Sequence, residues 1–284
     1  MIEIKHKTSG AVLATLEVSS LVGADLRDMD LAGADLANRD LGGANLEYSD
    51  LTDADLGGAR LAGANLTAVH LRGANLRGAD MTRARLGSDS PSRAAELSGA
   101  DLSGANLAGA DLRRVEARGT ILCDACLDGA DLRGTELPAA DLRRVKARKA
   151  LFIQANLREA NLAGADLRDS HLNDAKLVRA NLRGANLSSR HEEGFSVINL
   201  ANLEGADLAG ANLRNISAQD ANLRNADLSG VDFTAAVLGG AILHRANVAD
   251  ADFTDVELAS VTMEFANFSK ARNAVIPPYK RNLR

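Results

Sequence analysis

The sequence contains no tryptophan, and only two tyrosines and six phenylalanines occur among its 284 residues. Apolar residues nevertheless make up 46% of the chain, and most of them are alanine or leucine. Such a chain has little material for a varied core or for the deep, aromatic-lined pocket of many enzymes. Low aromatic content can accompany disorder, but the regular spacing of the leucines argues against disorder here.

Cysteines and long apolar runs are also scarce. The two cysteines, Cys123 and Cys126, cannot build a disulfide framework. No apolar run approaches the length of about 18 residues that a membrane-spanning helix needs. The opening residues, MIEIKHKTSG, lack the apolar run of a signal peptide. We therefore expect a soluble, cytoplasmic protein without a membrane partner.

Positive charge is not in excess, because the formal net charge is −5. The first and last thirds are acidic, and only the middle third, residues 96–190, has a small basic excess. General nucleic-acid binding requires a basic surface. The charge balance therefore argues against nucleic acid as a direct partner.

A period of five residues dominates the chain. Leucine or a similar apolar residue recurs at every fifth position over residues 21–86, 97–187 and 198–268, usually with alanine two residues earlier and Asp or Asn between them. This period fits neither a helix nor an alternating strand. Alanine and leucine, two residues apart, share one face of an extended segment, and a glycine often found two residues after leucine suits a turn with positive φ. The pattern predicts short extended pieces that stack about 4.8 Å apart around a leucine-filled axis.

The repeated motifs ADLRD, ANLEY, ADLSG and ANLRG resemble those of the pentapeptide-repeat family over roughly residues 14–268. This resemblance implies an all-β fold, a right-handed quadrilateral β-helix in which four pentapeptides form one coil. At that rate the chain would form about 12 coils. We expect an N-terminal β-hairpin to cap the first of them.

The sequence predicts three regions. Residues 1–18 read as the hairpin cap, residues 19–268 as the β-helix, and residues 269–284 as a C-terminal tail. Two gaps in the period predict bulges at 87–96 and 188–197. We count each 11-residue gap as two pentads plus one extra residue, and this count places both bulges on one face.

No motif in the sequence indicates catalysis. Cys123-x-x-Cys126 is the best metal-like pattern, but it lacks the second pair of ligands that a zinc site needs. We therefore predict no catalytic residue, no metal and no cofactor. The interpretation is a non-enzymatic protein, since an axis filled with leucine and alanine leaves no room for an active-site pocket.

The predicted face that carries both bulges has the largest excess of acidic residues, although a charged face is often simply a solvated one. The bulges could also be tolerated loop insertions. Larger apolar residues near the C-terminus are candidates for sealing the core or for a homodimer interface. The candidate partner-binding residues are Asp30, Asp50, Asp53, Asp89, Arg93, Asp111, Asp131, His191, Glu192, Glu193, Asp232, Asp252 and Asp255, and the candidate cap or dimer residues are Phe253, Phe265 and Phe268.

Two functions are consistent with these features. The first is a non-catalytic protein-interaction scaffold, because a solenoid offers a long surface of regularly spaced side chains. The second is implied by the family resemblance: a DNA-mimicking binder that modulates or protects DNA gyrase or topoisomerase IV, as in bacterial antibiotic resistance. Duplex DNA carries one negative charge per about 1.7 Å, which the net charge of this chain does not approach. The scaffold with an unidentified protein partner is therefore preferred.

Overall fold

Each pentad folds as a short bridge followed by a turn. In the computed structural model, the central leucine and the alanine two residues before it point inward, and Ala34 and Leu36 are at most 1% exposed. The residue between them points outward and forms a parallel bridge to the corresponding residue 20 positions later, as Asp25 does with Asn45. The Leu21 carbonyl then accepts a hydrogen bond from the Ala24 amide, which closes the turn.

The structure describes residues 1–189 and 196–280, which form two units, Met1–Val145 and Lys146–Arg284. The regular elements of the first unit are β1 (Ile2–Lys5), β2 (Val12–Leu16) and a 3₁₀ turn at Pro91–Arg93, and the second unit ends in a 3₁₀ turn at Pro278–Lys280. Most of the other repeats among the described residues are single-residue bridges joined by turns.

In the N-terminal unit the bridges line up in four columns. Two of them carry the argument below and are named here by their first members. The Asp25 column contains Asp25, Asn45, Asn65, Arg85, Asp111 and Asp131, and the Asp30 column contains Asp30, Asp50, His70, Glu96, Glu116 and Glu136.

The C-terminal unit is built in the same way. Its bridges again repeat every 20 residues outside the gap, and two columns matter below. The Lys146 column contains Lys146, Asp166, Asn186, Asn212, Asp232, Asp252 and Arg272, and the Asn156 column contains Asn156, Lys176, Asn202, Asn222, Ile242 and Thr262.

The last residue of most pentads has a positive backbone φ. More of these residues are non-glycine than glycine. Asp28 at 57°, Tyr48 at 61° and Leu200 at 60° are examples. The left-handed region costs a non-glycine residue about 1–2 kcal/mol. The ladder bonds on both sides of each turn therefore hold the backbone in a conformation that these residues would not choose alone.

Part of the insertion at 87–96 is looped out of the ladder, whereas Glu96 bridges to His70 and Glu116. Arg85 bridges to Asp111, 26 residues later, and the Ala95 amide donates to the Leu86 carbonyl at 2.9 Å, which is the bond that normally closes a pentad turn. The 11-residue gap is therefore one pentad with six extra residues. Our count of two pentads plus one residue was wrong, because the extra residues do not enter the wall.

The second gap has the same construction, since His171 bridges to Val197, also 26 residues later. Two consequences follow. The repeat count that placed both bulges on one face was wrong, because neither gap contributes an additional pentad. The grouping of Asp111 and Asp131 with Asp30 and Asp50 was wrong for the same reason: the first two lie in the Asp25 column.

The N-terminal strands form an antiparallel hairpin, with Ile2 opposite Leu16 and a register shift between Ile4 and Lys5. Its turn lies at residues 7–9, and the Gly10 amide donates to the His6 carbonyl at 3.0 Å. The hairpin also contacts the β-helix: the Lys7 amide donates to the Gly33 carbonyl, and the Asp35 amide donates to the Lys5 carbonyl, both at 2.8 Å.

Aromatic rings fill the axis at the other end of the chain. The rings of Phe233 and Phe253 stack with centroids 5.2 Å apart, and Phe268 tilts against Phe253 at 5.7 Å. The final 3₁₀ turn contacts the last repeats, because Lys280 Nζ donates to the Val261 carbonyl at 2.6 Å and the Tyr279 hydroxyl donates to the Ala259 carbonyl at 3.1 Å.

Candidate functional site

The Asp30 column presents carboxylates on successive turns of the N-terminal unit. Asp30, Asp50 and Glu116 have no cationic side chain within 4.0 Å among the residues that the structure describes, whereas Glu96 pairs with Arg72 at 2.5 Å. His70 lies between Asp50 and Glu96, and its Nδ1 is 3.5 Å from the Glu96 carboxylate. The column is thus a row of acidic groups about 4.8 Å apart with one histidine inside it.

The carboxylates of this column also shape the backbone. Asp30 Oδ1 accepts a hydrogen bond from the Ala32 amide at 3.2 Å, and Asp50 Oδ1 accepts one from the Thr52 amide at 2.8 Å. A hydrogen bond from the Thr52 side chain lowers the pKa of Asp50. Because an asparagine can accept the same amide bond, Asp→Asn variants remove the charge and keep the turn.

The Asp25 column is charge-balanced, which separates it from the Asp30 column. Arg113 pairs with Asp111 at 2.8 Å and Arg133 pairs with Asp131 at 2.6 Å, each within the motif Asp-Leu-Arg. The Arg113 guanidinium helps to lower the pKa of Asp111, against the opposing effect of burial. Asp111 and Asp131 are therefore structural partners of arginine and are not open acidic groups.

The first insertion is tied to the wall by its charged residues. Asp89 accepts a hydrogen bond from Arg113 at 2.5 Å. Arg93 pairs with Glu47 at 2.5 Å, and its guanidinium lies 5.8 Å from the centre of the Tyr48 ring. Both predicted contact residues of this bulge are thus engaged within the molecule.

The candidate residues of the C-terminal unit divide in a similar way. Asp232 pairs with Arg214 and Asp252 pairs with Arg272, both at 3.2 Å. Asp255 is exposed at a turn with φ of 58°. The remaining candidates on the second bulge, His191, Glu192 and Glu193, lie outside the described residues.

The three candidate phenylalanines have different environments. Phe253 is 0% exposed and belongs to the core stack, so it offers no surface to a partner. Phe268 is partly exposed at the end of that stack. Phe265 is 61% exposed and lies outside the core. Because its turn position directs it away from the axis, Phe265 does not seal the core and stays a candidate for an interface.

Little in the structure supports a chemical site. Cys123 Sγ donates to Asp124, and burial raises the pKa of this thiol. The 123–126 pair has no further ligand, and across the described residues no group of His, Cys, Asp and Glu side chains could hold a metal ion. The leucine-lined cavity inside the N-terminal unit has a volume of about 10 Å³, which is room for one water molecule.

We expect the melting temperature to fall below about pH 4. Arg27 lowers the pKa of Asp25 from 3.8 to about 2 through its side-chain hydrogen bond, and Arg144 does the same for Asp124. A carboxylate with a depressed folded-state pKa stabilises the fold above its unfolded pKa, and this stabilisation is lost as the pH falls through the folded value. Melting curves between pH 7 and pH 2 test this. An Asp25→Asn/Asp124→Asn variant should show a shallower fall, and an unchanged slope would contradict the assignment.

Sequence reasoning missed part of the acidic row. Glu96, Glu116 and Glu136 continue the column that begins with Asp30 and Asp50. The signal was present, since each of these glutamates occupies the position before a central apolar residue. It was hidden because an extra pentad had been counted in the gap.

Parallel ladders with a five-residue period and an apolar axis define a β-helix of the pentapeptide type, and the family models agree. The model described as "Pentapeptide repeats" matches eight times, at residues 13–47, 49–87, 95–134, 125–162, 135–174, 150–188, 201–240 and 236–272. These matches cover most of the chain, which therefore belongs to the pentapeptide-repeat family. The handedness expected from the resemblance follows, because the family repeat indicates a right-handed β-helix.

Three solved structures are similar to this chain. HetL, a pentapeptide repeat protein involved in heterocyst differentiation regulation from the cyanobacterium Nostoc sp. strain PCC 7120, is 29% identical, with 78% of this chain and 86% of HetL covered and a TM-score of 0.38. A pentapeptide repeat protein from the Arabidopsis thaliana thylakoid lumen is 27% identical, with coverages of 42% and 68% and a TM-score of 0.23.

The third is full-length QnrB1, a plasmid-mediated fluoroquinolone resistance protein, at 15% identity, with coverages of 89% and 92% and a TM-score of 0.23. All three TM-scores are below 0.5, so family membership rests on the repeats. No functionally curated protein matched the chain. Over residues 1–189 and 196–280, no helix has the length and apolar character required to cross a bilayer.

Proposed function

We propose that this protein is a non-catalytic protein-interaction scaffold and that the Asp30 column is its main docking surface. The observation that carries the proposal is the row of carboxylates in which Asp30, Asp50 and Glu116 have no cationic partner among the described side chains. Main-chain ladder bonds fix the spacing of this row, so a basic partner can bind without ordering it first. Preorganisation of this kind lowers the cost of association. Asp53, on the turn after Asp50, is exposed, and its backbone carbonyl accepts a hydrogen bond from Lys7 Nζ.

The test is quantitative capture of cell-extract proteins on the immobilised wild-type chain and on two charge-matched variants. Asp30→Asn/Asp50→Asn removes two open charges, whereas Asp25→Asn/Asp141→Asn removes two carboxylates that are paired with Arg27 and Arg143. We expect a specific protein to be retained by the second variant and reduced about tenfold on the first, because exposed charge pairs contribute up to about 1 kcal/mol each. Equal retention by both variants would contradict the docking surface.

A second candidate function is binding to DNA gyrase or topoisomerase IV as a DNA mimic. The acidic row favours it, but its charges recur about every 4.8 Å, against one per about 1.7 Å in duplex DNA. Gyrase supercoiling, with and without a fluoroquinolone, tests this candidate. Protection or inhibition that Asp30→Asn/Asp50→Asn weakens would favour topoisomerase binding, and no effect at saturating protein would exclude gyrase as the partner.

We further propose that the hairpin caps the β-helix, that residues 19–268 form one repeat domain and residues 269–284 a tail, and that the C-terminal end forms a homodimer. The contacts of the hairpin with Gly33 and Asp35 support the cap, because an exposed ladder edge would otherwise bind further strands.

The partly exposed Phe268 supports a homodimer interface at the C-terminal end. Sedimentation of wild type and Phe268→Ser would distinguish dimer from monomer.

Gly33→Ala should destabilise the protein more than Gly63→Ala does. Both glycines have positive φ, at 67° and 66°, so both variants carry a similar backbone penalty of about 1–2 kcal/mol. At Gly33 the new methyl group would also lie 2.5 Å from His6 Nε2 in the hairpin, whereas at Gly63 nothing lies within 4 Å. Urea unfolding measures the difference in the free energy of unfolding. Equal losses would show that the hairpin does not hold this contact in solution.

A further inference from the structure

The arginines of the C-terminal unit are sorted by face. Several of the outward-facing arginines form ion pairs with an aspartate of the same turn or of the neighbouring turn. Arg168, for example, pairs with Asp166 at 2.6 Å. Arg148 also has partners. The other paired arginines are Arg183 with Asp207, Arg214 with Asp232 and Arg272 with Asp252.

Four arginines lack a carboxylate within 4.0 Å among the described residues, and all four follow the Asn156 column. We call Arg158, Arg179, Arg224 and Arg245 the arginine face, and each of them is exposed. They lie on the first, second, fourth and fifth turns of that column. The face therefore extends roughly 19 Å at about 4.8 Å per turn. These unpaired arginines contrast with the paired arginines elsewhere among the described residues of this unit.

A groove opens at one end of the arginine face. It has a volume of about 440 Å³, and its lining includes Arg158, Val178 and Arg179. Glu159 and Glu204 also line it, and Gly205 and Asn225 complete the lining. A groove of this size admits a side chain from a partner, and its lining offers two guanidinium groups together with two carboxylates.

An exposed aromatic ring lies at the other end. Phe265 occupies the turn position on the sixth turn of the Asn156 column and is 61% exposed. The Arg245 guanidinium lies 5.8 Å from the centre of its ring, and His244 meets it edge-on at 5.5 Å. These contacts hold the ring in place on the surface, where it can bind an apolar side chain.

We propose that the arginine face binds an acidic protein segment in extended conformation, with its carboxylates on Arg158, Arg179 and Arg224 and an apolar side chain against Phe265. The inference rests on the proposed interaction role, but it uses another unit and charges of opposite sign. Charge complementarity identifies the partner as acidic. The three glutamates of this face, Glu159, Glu204 and Glu264, repel any anion. A protein segment can place uncharged side chains opposite them and its carboxylates at the arginines, whereas a phosphate backbone carries charge along its whole length.

The experiment uses the full chain and a short fluorescein-labelled peptide that alternates glutamate with threonine and ends in leucine. Fluorescence anisotropy should show salt-sensitive binding, which Arg179→Ala/Arg224→Ala weakens about tenfold through the loss of two charge pairs. The matched control, Arg183→Ala/Arg214→Ala, removes the same charge from arginines already paired with Asp207 and Asp232. It should change the affinity less than about twofold.

The proposal would be overturned by no binding of the peptide at low salt, by equal loss in both double variants, or by tighter binding of a short DNA duplex than of the peptide. The peptide with glutamine in place of glutamate should not bind, and undiminished binding of that probe would also overturn it. Because Asp30 and Asp50 are unchanged in these variants, failure here leaves the capture experiment on the Asp30 column as a separate test of the scaffold role.

Discussion

Replacing Leu132 with aspartate is expected to abolish cooperative folding of the N-terminal unit. Leu132 is 1% exposed and lines the apolar axis together with Leu112 and Leu122. A carboxylate there has no cationic partner, and burying an unpaired charge costs several kcal/mol. That cost is a large fraction of the 5–15 kcal/mol that stabilises a typical domain. Circular dichroism should show no cooperative thermal transition, or size-exclusion chromatography should show that the variant aggregates.

Leu200→Asp is the matched control, because it makes the same substitution at an outward turn. Leu200 is 59% exposed and has φ of 60°, a conformation that Asp tolerates better than Leu. We expect its melting temperature to stay near that of the wild type. Leu132→Met should cost less than about 1.5 kcal/mol, since it conserves volume. A soluble Leu132→Asp protein with a wild-type transition would contradict the axial position of Leu132.

Gly87→Ala should give the second largest effect, because the insertion begins in direct contact with the next turn of the wall. A methyl group on Gly87 would lie 2.3 Å from both the Arg113 amide nitrogen and Asp111 Oδ1, and 2.9 Å from the Arg113 carbonyl oxygen. The φ of Gly87 is not positive, so the penalty is steric. Overpacking against backbone costs about 1–3 kcal/mol, and urea unfolding should register a loss in that range.

Gly42→Ala provides the comparison for this variant. Gly42 likewise lacks a positive φ, and the nearest atom to its new methyl group would be Asp40 Oδ1 at 3.3 Å. Its stability should therefore fall little or rise slightly, since alanine reduces the entropy of the unfolded chain. If Gly42→Ala and Gly87→Ala lost the same free energy of unfolding, the close approach of the insertion to Arg113 would be contradicted.

Much of the fold was predictable because the same two positions of every repeat must be buried. A central leucine and the alanine two residues earlier point to the same side of an extended segment, so both are buried together. Leu36 and Ala34 follow this rule. The hairpin turn before Gly10 was predictable from local turn chemistry. The candidate acidic surface was predictable only in part. Counting repeats correctly placed Asp30 next to Asp50, but it assigned Asp111 to the wrong column.

The sequence alone determined which residues face the axis, which face solvent and where the turns fall, because these follow from a five-residue period and side-chain size. Only the tertiary structure decided which outward residues are neighbours. Ladder bonds pair residues 20 positions apart in regular repeats and 26 apart across each insertion, and no local property distinguishes a looped-out segment from an extra pentad. The pairing of Arg113 with Asp89 was likewise decided by the tertiary structure, since the two residues are 24 positions apart and only the looped-out insertion brings them together.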